Sequence, residues 1–141
     1  TPSGKAEFST ADLPDVIPAD SDVLVLQTMR SHDQCNTTIY SADDRYRGVR
    51  NIRELIFMNR KDMKDRGIAE GDLVDIVATS RDGSERSITA FRALEYDTPR
   101  GSAAGYFPEM NVLLGPDDYS RQSDQPLMKS LRVRVAKTAA A

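Results

Sequence analysis

Short apolar runs separated by polar and charged segments make up most of this chain. Apolar and polar residues alternate over Leu73–Thr79, which predicts a half-buried β-strand. Asp82-Gly83 follows and is a strong signal for a tight hairpin turn. The sequence therefore predicts a β-hairpin whose return strand covers residues 85–95.

The return strand also alternates, and this assigns its side chains to two faces. The pattern places Ile88 and Ala90 on one face, and Phe91 and Ala93 on the other. Ile88 and Phe91 are therefore predicted to point in opposite directions.

Four other segments have the composition of strands. They cover residues 23–26, 54–58, 102–107 and 130–135. Residues 54–58 are mainly apolar, which is typical of a buried strand. Six or so strands without a regular alternation of strand and helix favour a small, mostly β barrel with long loops.

One short helix is predicted directly after the buried strand. Asn59 is suited to cap its N-terminus, Asp62 lies in its first turn, and Gly67 is suited to end it. The sequence therefore predicts a helix over residues 59–66.

The remaining segments are predicted to be connections. Residues 41–53 are charged and irregular, and we interpret them as a solvated surface loop with no chemical role. Residues 108–111 interrupt two apolar runs, and residues 115–126 form a long acidic loop.

A dense series of hydrogen-bonding side chains follows the first apolar run. The series consists of Arg30, Ser31, His32, Asp33, Gln34, Asn36, Thr37 and Thr38. It is too polar for a core, and it lacks the glycine and proline of ordinary turns. Such side chains suit a ligand rich in ring nitrogens, amides and phosphates. We interpret the stretch as the binding face of the barrel.

Composition narrows the classes of partner. The chain has 141 residues, of which 39% are hydrophobic and 29% charged, with a net charge of −3. This charge argues against bulk attraction to nucleic acid or to an anionic membrane, and no apolar run approaches the roughly 18 residues of a membrane span. Cys35 and His32 are the single cysteine and the single histidine, so we expect neither a disulfide nor a metal site within the chain.

Several motifs, taken in order, resemble one known family. They are TPSGKAEF, RSHDQCNTTIY, FMNRKDMKDRGIAEGDLVDI and PRGSAAGYFPEMNVLLGPDDYSRQSDQPLMKS, and together they cover nearly the whole chain. They resemble the C-terminal domain of molybdopterin-dependent oxidoreductases of the dimethyl sulfoxide reductase family, and most of all formate-dehydrogenase-like alpha subunits. The resemblance implies a double-psi β-barrel with short helices that helps to bind bis-molybdopterin guanine dinucleotide.

The resemblance also implies which side chains contact the cofactor. In motif order these are Arg30, His32, Gln34, Asn36, Thr37, Thr38, Phe107, Asn111, Gln125 and Lys129. It implies no catalytic residue and no metal ligand here, because in such subunits the metal ligand and any iron–sulfur cluster lie in other domains. We therefore expect the remaining domains of a parent subunit as partners, and the isolated domain is not expected to be catalytic.

Two alternatives come from other classes of protein. Aspartate decarboxylase shares the double-psi barrel and cleaves itself at a Gly-Ser bond, and this chain has such pairs at Gly83-Ser84 and Gly101-Ser102. Shared fold alone does not transfer function. A stand-alone barrel that serves as a protein-interaction module is the second alternative.

The predicted domain limits follow from these patterns. Residues 1–21 form an extended lead-in, residues 22–136 the cofactor-binding barrel, and residues 137–141 a tail. A cytoplasmic location is the default expectation, and the sequence does not define the substrate.

Overall fold

A closed barrel forms the centre of the computed structural model, which describes residues 1–12, 20 and 22–139. The strands in this part of the chain are β1 (Leu24–Met29), β2 (Gln34–Cys35), β3 (Thr38–Ile39), β4 (Leu55–Met58), β5 (Leu73–Thr79), β6 (Glu85–Glu95), β7 (Ser102–Tyr106) and β8 (Leu131–Lys137). The helices are α1 (Arg60–Asp65) and a 3₁₀ helix over Glu109–Leu113. The mostly β architecture with a short helix is confirmed.

Six of these strands close the barrel in the order β1-β7-β4-β6-β5-β8. Two neighbouring pairs, β1 with β7 and β4 with β6, run parallel, and the other neighbours run antiparallel. The small strands β2 and β3 form a separate hairpin. Within the described ranges, no helix has the length and apolar character that a membrane span requires.

The predicted lead-in and tail are described only in part. Residues 1–12 contain no helix or strand. The rest of the predicted lead-in, residues 13–19 and 21, and the last two residues of the predicted tail lie outside the described residues. The final strand continues to Lys137, two residues beyond its predicted end.

Both faces of β4 are buried, which explains its uninterrupted apolar sequence. Ile56 and Met58 belong to the main core, whereas Leu55 and Phe57 belong to a second cluster with Val49. Because Val49 lies within residues 41–53, the interpretation of that segment as a solvated loop is wrong. The segment supplies part of the cover over the outer face of β4.

The hairpin of β5 and β6 is confirmed, but the predicted faces of its return strand are wrong. The pairing of the two strands shifts register at Asp75, which opposes both Thr89 and Ala90. Ala90 adopts a positive φ of 60° and donates its N–H to the Asp75 carboxylate at 3.1 Å. This β-bulge adds one residue between Ile88 and Phe91, so both side chains pack against the same core.

The predicted helix is also confirmed, as α1. The Asn59 side chain accepts a hydrogen bond from the N–H of Lys61 at 2.9 Å, which is the geometry of an N-cap. The buried Asp62 carboxylate accepts from the N–H of Gly101 at 2.7 Å. Gly67 follows the helix with a φ of 66°, as its predicted stop position requires.

A 3₁₀ helix replaces the predicted break after residue 107, and it fills one end of the barrel. Its residues Met110 and Leu113 are fully buried in the main core. A Cβ atom on Gly105 of β7 would lie 2.2 Å from Cε and 2.8 Å from Cγ of Met110, so a larger residue there would force the buried Met110 side chain to move. The packing of Met110 against β7 therefore depends on the small size of residue 105.

We predict that Gly105→Ala destabilises the chain. The added methyl group overlaps Met110 in a closed core, and such overpacking typically costs about 1–3 kcal/mol. Urea unfolding monitored by circular dichroism measures the change. Ala136→Ser, at an exposed position of β8, is the control, and an equal stability of both variants would contradict the prediction.

Candidate functional site

Two of the predicted contact segments leave the barrel at the same end. Strands β1 and β7 are parallel, with Met29 opposite Tyr106. Arg30 and Phe107 therefore follow neighbouring strand ends, and the N–H of Phe107 donates to the carbonyl of Met29 at 2.8 Å. The parallel pairing brings together the Arg30–Thr38 turn and the start of the 3₁₀ helix.

The third predicted segment reaches the same end of the barrel. Strand β8 is antiparallel to β1 and begins where β1 ends. The N–H of Thr28 donates to the carbonyl of Met128 at 3.0 Å, and the Lys129 ammonium donates to the carbonyl of Thr28. Lys129 is thus placed beside the polar turn.

The Arg30–Thr38 turn is built around the side chain of Gln34. This buried amide donates to the carbonyls of Asn36 at 3.0 Å and of Phe107 at 2.8 Å. Arg30 donates from Nε to the same carbonyl of Asn36 at 3.2 Å, and Asn36 adopts a positive φ of 52° in the connection from β2 to β3. Gln34 therefore lies inside the turn, where it fixes the backbone.

The other predicted residues of the turn point to the surface. The exposed set consists of Arg30, His32, Asn36, Thr37 and Thr38. Their guanidinium, imidazole, amide and hydroxyl groups supply both donors and acceptors. Phe107, by contrast, is half-buried, and its carbonyl is occupied by internal hydrogen bonds.

His32 has neighbours that the sequence analysis did not assign to the site. Nη2 of Arg45 lies 2.6 Å from Nε2 of His32, and the ring of Tyr46 makes an edge contact with the imidazole at a centroid distance of 4.3 Å. The Asp33 carboxylate lies 3.8 Å from the same Nε2 of His32, so the imidazole has both a guanidinium and a carboxylate beside it. Arg45 and Tyr46 are both exposed and enlarge the polar surface.

A buried guanidinium lies directly beneath the turn. Arg53 is 6% exposed and donates to Ser31 Oγ at 2.7 Å and to Gln34 Oε1 at 3.0 Å. It also donates to the carbonyl of Phe107 at 2.9 Å and to both carboxylate oxygens of Glu109, at 2.6 and 3.0 Å. Sequence reasoning missed this residue because it assigned residues 41–53 to solvent.

A second buried polar group holds the same segment on the barrel. The fully buried Asp44 accepts from the Tyr106 hydroxyl at 2.8 Å and forms an ion pair with Arg47. Burial by itself would raise the pKa of Asp44, but the hydrogen bonds from Arg47 and Tyr106 outweigh it and hold the pKa below its usual value. Burial, and then the Asp44 carboxylate, raise the pKa of Tyr106.

One sequence signal points to this buried segment. The strand 54–58 is apolar on both faces, so its outer face needs cover from another part of the chain. Val49 is an apolar residue within the neighbouring charged segment and is 3% exposed. The polar partners Asp44 and Arg53 carry no such local signal.

Asn111 and the acidic loop line an open cavity of about 560 Å³. It is lined by Asn111, Leu114, Gly115, Pro116, Asp118, Tyr119, Asp124 and Pro126. Gln125 lies between two lining residues and is exposed. The site thus has two polar surfaces, the Arg30–Thr38 turn and this cavity, and Phe107 and the 3₁₀ helix connect them.

The acidic loop is fixed at Asp118. Its carboxylate accepts from the N–H groups of Arg81 and Gly115, both at 2.9 Å. Burial would raise the pKa of Asp118, but these N–H groups and the Ser80 hydroxyl outweigh it, so the pKa lies below its usual value. A Cβ on Gly115 would lie 2.7 Å from Oγ of Ser80, so the loop packs tightly against the end of β5.

The two Gly-Ser pairs lie at opposite ends of the barrel. Gly83 has a φ of 83° in the exposed hairpin turn, two residues after Arg81, which donates to Asp118 and to the carbonyl of Tyr119 in the acidic loop. Ser102 starts β7 opposite Val25, near the start of β1, and so lies at the other end of the barrel. The Gly101-Ser102 pair is therefore remote from the predicted contact residues.

The strand order with two parallel pairs defines a double-psi β-barrel, here with a polar surface at one end. A rationally designed protein of this fold matches 84% of this chain and 92% of its own, with a TM-score of 0.51 and 16% identity. Residues 24–132 match the family model described as Molydopterin dinucleotide binding domain, so the chain belongs to that family.

Curated relatives extend the comparison over almost the whole chain. An uncharacterized oxidoreductase of Mycobacterium tuberculosis (strain ATCC 25618 / H37Rv) is 45% identical over 143 residues, which cover 99% of this chain. Protein YdeP of Escherichia coli (strain K12) is 41% identical over 139 residues, which cover 96% of it. The chain spans about 18% of the length of each of these relatives.

We predict that Asp44 makes stability depend on acid pH. Because its pKa is lowered in the folded state, its contribution is present above the unfolded pKa of about 4 and is lost as the pH falls through the lower folded pKa. Asp44→Asn removes this dependence and takes the charged acceptor away from the partly exposed Arg47 and from the Tyr106 hydroxyl, a change that typically costs about 1–3 kcal/mol near neutral pH.

Urea unfolding at a series of pH values between 7 and about 2 tests this prediction. Asp97→Asn, which changes an exposed aspartate in the connection between β6 and β7, is the control. An Asp44→Asn profile that parallels the original chain would contradict the assignment.

Proposed function

We propose that this chain is the cofactor-binding domain of a larger, formate-dehydrogenase-like molybdenum oxidoreductase, and that it binds bis-molybdopterin guanine dinucleotide. The observation that carries the proposal is the convergence of three polar segments at one end of a barrel of this family. Further support comes from the naming of the mycobacterial relative as an oxidoreductase.

The donor set at this end of the barrel fits such a cofactor. The cationic side chains of Arg30 and Lys129 suit a pyrophosphate, because charge-assisted hydrogen bonds to phosphate are the strong ones. The amides of Asn36, Asn111 and Gln125 present a donor and an acceptor side by side, which matches the edge of a pterin or a guanine. All five residues are exposed.

The cavity beside Asn111 has the character of a ligand site. Its lining combines the apolar side chains of Leu114, Pro116 and Pro126 and the ring of Tyr119 with the polar side chains of Asn111, Asp118 and Asp124. Concave sites that combine apolar walls with polar groups are typical of small-molecule binding. We assign Asn111 and Gln125 to one part of the cofactor and the Arg30–Thr38 turn to another.

The work of this chain in the proposed enzyme is binding and orientation. When bound, the molybdenum cofactor supplies the redox chemistry. The described residues include no group of three or more His, Cys, Asp or Glu side chains arranged to hold a metal ion. In the proposal the metal ligand, the substrate site and any iron–sulfur cluster belong to other domains of the subunit.

We predict that Arg30→Ala and Asn111→Ala lower cofactor retention in the full-length protein that carries this domain. Loss of one partner from a buried hydrogen bond costs about 1–3 kcal/mol, and more for a charged group. Since about 1.4 kcal/mol is a factor of ten, each variant should bind the cofactor roughly tenfold more weakly. Molybdenum and guanine nucleotide per polypeptide are the quantities to measure.

The control is Lys61→Ala, on the exposed side of α1 at the other end of the barrel. Arg30 and Asn111 are both exposed in this chain, so their loss should hardly change the thermal unfolding of the 141-residue chain. Full cofactor content in both variants would overturn the assignment. A large drop in the melting temperature of the chain would instead identify them as structural residues.

The self-cleaving alternative is tested by the intact mass of the purified chain. We predict a single species of 15.6 kDa. Fragments that end at Gly83 or Gly101 would favour the decarboxylase interpretation and contradict the present proposal.

A further inference from the structure

The partners of Arg53 belong to two separate segments of the proposed site. Ser31 and Gln34 lie in the polar turn after β1. Phe107 and Glu109 lie after β7, at the start of the 3₁₀ helix. A single buried guanidinium therefore joins two segments that are far apart in sequence. Gln34 in the first segment and Phe107 in the second are 73 positions apart.

Stability alone does not account for a charged residue at this position. Taking a guanidinium and a carboxylate out of water carries a large desolvation penalty, and a well-packed apolar pair is often equally stable or more stable. An ion pair of this kind does fix geometry. The donors of the planar guanidinium point in set directions, so its acceptors must lie at set positions around it. The geometry that Arg53 fixes is the separation of the two segments.

We propose that Arg53 is a positioning residue that sets the arrangement of the two cofactor-contacting segments without itself contacting the cofactor. This inference rests on the proposed function. Gln34 transmits the effect within the turn, because it accepts from Arg53 and donates to the carbonyl of Asn36. Glu109 transmits it to the 3₁₀ helix, whose next two residues are Met110 and Asn111.

The expected effect is a loss of preorganisation. We call Arg53 and its hydrogen-bond partners in the two segments the clamp. Without it, the side chains of Arg30 and Asn111 are still present, but each segment moves independently before the cofactor binds. A ligand that contacts both segments must then order them, and this ordering lowers its affinity. The same clamp restricts local opening of both segments in the absence of cofactor.

Arg53→Lys is the informative variant. Lysine keeps the positive charge beside Glu109 but has a single compact donor group, so it does not reproduce a fork that reaches four residues. Arg50→Lys, an exposed arginine three positions earlier, is the matched control. Hydrogen exchange is measured by mass spectrometry on the full-length protein purified without cofactor.

In Arg53→Lys we expect peptides covering residues 30–40 and residues 107–114 to exchange roughly tenfold faster, and peptides covering β5 to remain unchanged. The control should match the original protein throughout. Equal acceleration in all peptides would overturn the inference by making Arg53 a general stabilising residue. Acceleration in only one segment, or in neither, would also overturn it.

A second measurement separates this inference from the proposed function. The molybdenum and guanine nucleotide content per polypeptide should be lower in Arg53→Lys than in the original protein, because lysine does not replace the arginine fork. If Arg30→Ala and Asn111→Ala lower the cofactor content but Arg53→Lys does not, only the positioning role fails. If none of the three lowers it, the proposed function fails.

Glu109→Gln provides the test if Arg53→Lys does not fold. This variant keeps the shape of the side chain and one acceptor for Arg53, while it removes the ion pair. The same two groups of peptides should exchange faster together, by a smaller factor. If the hydrogen-exchange rates of the peptides covering residues 30–40 and 107–114 are unchanged, the positioning role of Arg53 is wrong.

Discussion

The parallel pairing of β1 with β7 is the constraint on which the rest of the structure depends. Parallel neighbours end at the same side of a barrel, so the residues that follow them share one surface even when they are far apart in sequence. Here the polar turn and the 3₁₀ helix follow these two strand ends. β8, antiparallel to β1, begins at that end and adds Lys129. A binding surface is thus a consequence of the strand order.

The outer face of β4 and β7 imposes a second requirement, which links the fold to the site. The side chains of Phe57 and Tyr106 lie on this outer face. Residues 41–53 shield them from water, with Val49 in the same buried cluster. Asp44 holds this cover through the Tyr106 hydroxyl, and Arg53 ends it beneath the polar turn. One segment therefore completes the hydrophobic burial and also supports the site.

Local signals explain what was predicted correctly from the sequence. The hairpin at Asp82-Gly83, the Asn59 cap and the apolar runs act over a few residues, and each is found where expected. The bulge at Ala90 was missed because it adds a residue without a local glycine. The candidate contact residues came from family resemblance. Their support by Arg53 depends on contacts that span from 19 positions, to Gln34, up to 56 positions, to Glu109.

The contact between Gly105 and Met110 has a consequence for the evolution of this domain. The two positions lie within the core, yet one of them precedes Asn111 directly in sequence. A larger residue at 105 requires either a displaced Met110 side chain or a smaller residue at 110, so the two positions should tend to change together among related proteins. A change in the core at these positions would shift the neighbouring Asn111. Ligand affinity could therefore change during evolution even where every surface side chain stays the same.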